Sequence, residues 1–157
     1  MVVVSYMGGN EGASMVGGLY LINYLIFSVV NGNMEIIDLL KRVKITVVPA
    51  LNVDALIFKS SEHQQGRATN PIKNRNTGVL CNDPNKESGV NLRYNFGPNF
   101  STNVDFCNSD YPGKSEESEQ ETKALIELIN KTEVEMVIAL QKYQFFEKII
   151  FSGEHEI

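Results

Sequence analysis

Two histidines, two cysteines and a glutamate in a glycine-rich turn are where chemistry would start in this 157-residue chain. Imidazole chemistry has only His63 and His155 to draw on. His63 sits in the polar stretch Ser60 to Gln65, and His155 in Gly153-Glu154-His155-Glu156. Neither stands at helical i, i+4 spacing from another ligand, the arrangement that turns two metal donors to one face, so both read as solvated surface residues. The cysteines form no Cys-x-x-Cys pair, which sets aside thiolate zinc knuckles and thioredoxin-type redox sites; two are also too few for a disulfide-built miniprotein. Glu11 is different. It closes the segment Met7-Gly8-Gly9-Asn10-Glu11 directly after an apolar run, and the carboxyl end of a strand is where open α/β sheets bind their ligands.

The elements that must position it follow from hydrophobic pattern. Val2-Val3-Val4 is a short β-branched run of the kind found in buried parallel strands. No basic segment precedes it, so no signal peptide is evident. Residues 13–30 are uncharged and long enough to raise the question of a membrane span. Met15, Leu19, Ile22, Ile26 and Val29 fall on one helical face, while Gly, Ser and Asn dilute the rest. The expectation is a helix packed on a sheet, not a span, with an outer face that needs a cover. A short amphipathic helix over 35–40 and a strand over 43–48 complete a βαβ unit, whose ligand end is near Gly8 to Glu11 and Pro49 to Asp54.

Residues 58–113 are dense in Asn, Gly, Pro and Ser and read as a long loop-rich connection, a feature that is usually functional inside a compact domain. Ser118 and Glu121 have capping-box spacing, and Ala124, Leu125, Leu128 and Ile129 form the stripe of a helix reaching about Lys131. Residues 135–140 and 145–151 read as third and fourth strands. The fold class is therefore α/β, with a mixed, largely parallel sheet flanked by helices.

Net charge is -5, split into an acidic segment over residues 1–38, a basic middle over 39–103 and an acidic region over 104–157. The basic residues do not share one helical face, so the middle is a solvated loop region and not a nucleic-acid surface.

The ordered motifs resemble the zinc carboxypeptidase family. The family's His-Gly-Asn-Glu turn is matched by Gly8-Gly9-Asn10-Glu11, and its Val-Pro-x-x-Asn-Pro-Asp-Gly by Val48-Pro49-Ala50-Leu51-Asn52-Val53-Asp54-Ala55. Arg-Lys-Asn-Arg becomes Ile72-Lys73-Asn74-Arg75. Gly-Val-Asp-Leu-Asn-Arg-Asn-Phe becomes Gly89-Val90-Asn91-Leu92-Arg93-Tyr94-Asn95-Phe96. Tyr111-Pro112-Gly113 with Ser118-Glu119-Gln120-Glu121-Thr122, then Leu140-Gln141-Lys142-Tyr143, match the later motifs. The resemblance implies the central part of that family's fold over residues 1–157, one domain incomplete at both ends.

By the same resemblance, zinc would be held by a His at position 8, Glu11 and a His at position 141, leaving a fourth position for an activated water. Here those positions are Gly8, Glu11 and Gln141. Glycine supplies no donor, and an amide is a poor zinc ligand beside imidazole. Ile72 stands where the oxyanion-stabilising Arg belongs, and the carboxylate-gripping Asn-Arg pair has become Arg93-Tyr94. Arg93 and Tyr143 remain as weak substrate-contact candidates, and the family's catalytic glutamate has no counterpart in the chain. The resemblance also implies a disulfide between Cys81 and Cys107, which favours a secretory, extracellular or lumenal compartment. Asn99-Phe100-Ser101 and Asn130-Lys131-Thr132 are glycosylation sequons.

The expectation is thus a zinc-carboxypeptidase-like domain without zinc or peptidase activity, retained as a structural or binding subunit. Protein partners would cover residues 13–30 and the sheet edges, and no cofactor is expected. The alternative is a zinc-dependent carboxypeptidase of which this chain is a fragment or divergent form, which would need zinc and ligands from another segment.

Overall fold

The computed structural model describes residues 1–64, 71–83, 85–97, 100–132, 134–142 and 147–152. The element order is β1 (Val2–Ser5), α1 (Gly12–Val30), α2 (Met34–Arg42), β2 (Thr46–Val48), α3 (Val53–Gln64), a 3-10 turn at Leu92–Tyr94, α4 (Gln120–Lys131), β3 (Val137–Lys142) and β4 (Glu147–Ser152).

The strands form one sheet in the order β2-β1-β3-β4. β1 pairs parallel with β2 on one side and with β3 on the other, and β4 adds antiparallel to β3. The sheet is therefore mixed and largely parallel, as expected from the βαβ pattern. β1 is buried along its whole length, which explains why it reads as an unbroken β-branched run and not as an alternation.

The two faces of β1 are treated differently. Val2 and Val4 join Met7, Leu51, Leu92 and Leu125 in the core, with Leu128 and Ile129 of α4 packed against them. On the opposite face α1 approaches through its smallest residues. Ser14, Gly18 and Ser28 are its buried positions, and a Cβ on Gly18 would lie 2.6 Å from Ser5 Oγ. The helix sits that close because glycine leaves room for it. Its apolar side chains consequently point away: Tyr20 is 69%, Phe27 65% and Val30 78% exposed. Leu19, Ile26 and Val29 of the anticipated stripe are exposed with them. By length and composition α1 is also apolar enough to cross a membrane.

Several boundaries differ from expectation, β3 and β4 each starting two residues later than the runs from residues 135 and 145. The loop-rich connection does not start at Phe58, because α3 continues to Gln64; its first turn is fixed by Asn52, whose Oδ1 accepts from Ala55 N at 3.1 Å. β2 is shorter than the run from Val43, because the Val43 N–H closes α2 on Leu39 O. The capping box at α4 does not form. Ser118 Oγ donates to Glu119 Oε1 at 2.7 Å, and the helix begins at Gln120 with no side-chain cap on its first turn.

Candidate functional site

Parallel pairing brings the carboxyl ends of β1 and β3 side by side, with Ser5 opposite Leu140. Beyond Ser5 the chain turns sharply. Tyr6 adopts a left-handed backbone (φ 54°), a conformation that costs a non-glycine residue on the order of 1 kcal/mol. Its surroundings hold it there: Ser14 Oγ accepts from Tyr6 N at 3.0 Å, and the buried Tyr6 hydroxyl donates to Gly9 O at 2.5 Å. Gly9 is fixed by lack of space, since a Cβ there would lie 2.4 Å from both Pro71 O and Ala55 Cβ. Asn52 ties the end of β2 to the same turn, donating to Met7 O at 3.2 Å and to Ile72 O at 3.3 Å.

This turn delivers Glu11 to the interior, where it is fully buried. Glu11 Oε2 accepts from the N–H groups of Met7 and Gly8, each at 3.1 Å. Oε1 accepts from Arg93 Nη2 in an ion pair. Arg93 comes from the 3-10 turn, whose start is set by Asn91 Oδ1 accepting from Arg93 N at 3.2 Å and by the fully buried Leu92. Its side chain is only 22% exposed. Burial lowers the guanidinium pKa from its ordinary value, and the nearby Tyr94 and Asp110 oppose that shift. Gln141, at the end of β3, directs its amide nitrogen to Met7 Sδ at 3.6 Å.

Around this centre the loop region is held by buried amides. Asn74 Oδ1 accepts from Val90 N at 2.9 Å, and its Nδ2 donates to Glu119 Oε2 at 2.7 Å. Asn95 donates to Pro112 O, Ser115 O and Ser118 Oγ, and accepts from Glu119 N. Lys73 is buried, bonds Glu87 O at 3.1 Å and Phe106 O at 2.8 Å, and lies 5.7 Å from the Tyr111 ring centroid. Burial pushes its pKa down, against the raising influence of Glu87, Asp105 and Asp110. Cys81 and Cys107 are joined, with Cα atoms 5.1 Å apart. Gly89 is left-handed (φ 98°) and a Cβ there would collide with Asn74 O at 2.1 Å, so this turn admits only glycine.

The family profile described as zinc carboxypeptidase matches residues 1–146. The chain belongs to the zinc carboxypeptidase family. Mast cell carboxypeptidase A of Homo sapiens is 30% identical over 119 residues, which is 76% of this chain and 27% of that protein. Bovine thrombin-activatable fibrinolysis inhibitor, solved with tick carboxypeptidase inhibitor, superposes with a TM-score of 0.68 at 21% identity, covering 91% of this chain and 45% of that one. Carboxypeptidase A from Helicoverpa armigera gives 0.68 at 20% identity over 90% and 33%. These structures establish a shared fold. The chain spans about a quarter of the length of the human relative and less than half of these structural neighbours.

The family position of zinc can now be tested against the residues present. Of the three ligand positions, Gly8 offers no side chain, Gln141 turns its amide nitrogen to a sulfur, and Glu11 already has both oxygens engaged. Among the described residues no three His, Cys, Asp or Glu side chains stand together as a metal-binding group. This donor set does not fit a zinc ion. Ile72, at the family's oxyanion-arginine position, is half-buried, and its N–H donates to the Glu87 carboxylate at 2.9 Å. Tyr143 and His155 lie outside the described residues, as does the His63 side chain, although His63 falls in the last turn of α3.

Residue types at family positions reveal the fold and the two altered ligand positions, Gly8 and Gln141, but not the Glu11–Arg93 pair. The available signal was the one-residue displacement of arginine, from the position of Tyr94 to that of Arg93. Residues 93 and 94 leave a 3-10 turn about 120° apart, so the shift re-aims the charge.

Proposed function

We propose that this domain is a zinc-carboxypeptidase core without a zinc centre, retained for structure or binding and not for peptide hydrolysis. One observation carries this reading. The three positions that would hold zinc supply a glycine, an amide turned to sulfur and a carboxylate already paired with arginine. Hydrolysis in the family needs a metal-activated water, and no donor set at this site would hold the ion that provides it. The apolar outer face of α1, with Tyr20, Phe27 and Val30 exposed, supports a domain that another protein surface covers. Recovery in the lipid fraction after an alkaline wash would instead identify a bilayer as the cover.

The test is release of a C-terminal amino acid from a blocked dipeptide, with added zinc and with chelator. No turnover in either condition is the expected result. Turnover that chelator abolishes would favour a metallocarboxypeptidase completed by ligands from another segment.

A further inference from the structure

We propose that Arg93 is the resident cation of this site, its guanidinium supplying at Glu11 the positive charge that a metal ion would otherwise bring. The assignment rests on the reading that zinc is not bound, and it deepens that reading by saying what replaced the ion.

Charge is the first reason. A fully buried carboxylate with only backbone N–H donors is compensated in part, because peptide dipoles carry partial charges; Arg93 completes the neutralisation through Oε1. Shape is the second. Gly8 does not occupy the left-handed region, so its backbone sets no requirement for glycine. What fills most of the space before it is Arg93: a Cβ on residue 8 would lie 3.1 Å from Arg93 Nε and 3.3 Å from Cζ, with Asn10 Oδ1 at 3.2 Å beside them. Gly9 makes the contrast plain, since there the obstruction is the backbone of Pro71 and the Cβ of Ala55. Gly8 and Arg93 are thus complementary, one withdrawing a side chain from the centre and the other entering it.

Approach is the third reason. Asn91 and Leu92 anchor the short turn, so the guanidinium is aimed by fixed backbone and not by a free loop. The consequences are chemical. Arginine starts from so high a pKa that it stays charged through the biological range, cannot be removed by chelator, and does not acidify water as a metal does. A centre built this way keeps the electrostatic and structural role of the ion and gives up its Lewis acidity.

The decisive experiment compares Gly8→His/Gln141→His with Gly8→His/Arg93→Asn/Gln141→His by Co2+ titration, reading the d–d absorption of the bound ion. The triple variant is expected to bind at least about 100-fold more tightly, because like charges in contact at a partly buried site repel strongly. Equal affinity, or binding by neither, overturns the assignment. Should either variant fail to fold, thermal unfolding of Glu11→Gln, Arg93→Gln and the pair in the otherwise native chain decides instead. The single changes are expected to lower the midpoint by roughly 10 °C and the pair by clearly less than their sum. Additive losses overturn the assignment. Stoichiometric zinc in the unmodified chain would be a separate failure, that of the zinc-free reading itself.

Discussion

Two buried polar regions lie a few residues apart and are built on opposite principles. Around Asn74, Asn95 and Glu119, stabilisation is spread over many amide contacts, those to the buried Glu119 carboxylate included, and Asn95 alone makes four bonds to separate partners. At Glu11 it is concentrated in one buried carboxylate, two backbone N–H groups and a single arginine. By the motif resemblance, the distributed region carries the family's residue types almost unchanged, whereas the concentrated one has Gly8 and Gln141 at the two imidazole positions and its arginine one residue early. A distributed network resists piecemeal change because each amide has several partners to satisfy. A site centred on one charge can instead be rebuilt by supplying that charge from elsewhere.

The sharpest way to break this comparison is to remove the single cation. Arg93→Gln leaves Glu11 buried without its charged partner and is expected to cost about 3–5 kcal/mol of stability, measured by urea unfolding. A loss below that of any single amide would erase the distinction between the two regions. Next in size is the disulfide: Cys81→Ser/Cys107→Ser opens a loop of sequence separation 26 and is expected to lose about 3 kcal/mol under the same assay. Asn95→Ala removes four bonds at once, all between uncharged groups, so a loss of about 2 kcal/mol is expected.

The smallest effect is a pH dependence within the distributed region. Burial raises the Glu121 pKa, and Asp54 and Glu119 reinforce it while backbone and Asn74 hydrogen bonds oppose it. A carboxyl with a raised folded pKa favours the fold while protonated, at low pH, and that contribution is lost as pH rises through the folded pKa. Glu121→Gln should therefore stabilise the chain at pH 7 by less than about 1 kcal/mol, with the gain vanishing below the ordinary glutamate value. Thermal unfolding midpoints across this range check the sign, and a gain largest in acid would reverse it.

Much of the architecture was legible because burial writes it plainly: Val2 to Val4 is β-branched throughout since both faces of β1 are covered, and the parallel pairing of β1 with β2 follows from the βαβ order. α3 was hidden because Val53 to Gln64 shows no clean apolar stripe, though Asn52 ahead of it is a good N-cap. The start of α4 was misread because Glu119 and Ser118 serve the amide network, a tertiary demand that spacing along the chain cannot display. The three ligand positions were legible as residue types. The pair that reshapes them was not, since Glu11 and Arg93 are far apart in sequence and meet only through the fold.

The most direct measurement is the metal content of the unmodified chain after equilibrium dialysis against micromolar zinc. With Arg93 as the resident cation, zinc is expected well below one ion per chain, and chelator is expected to leave the unfolding midpoint unchanged. One zinc per chain, with stability that chelator removes, would contradict the account.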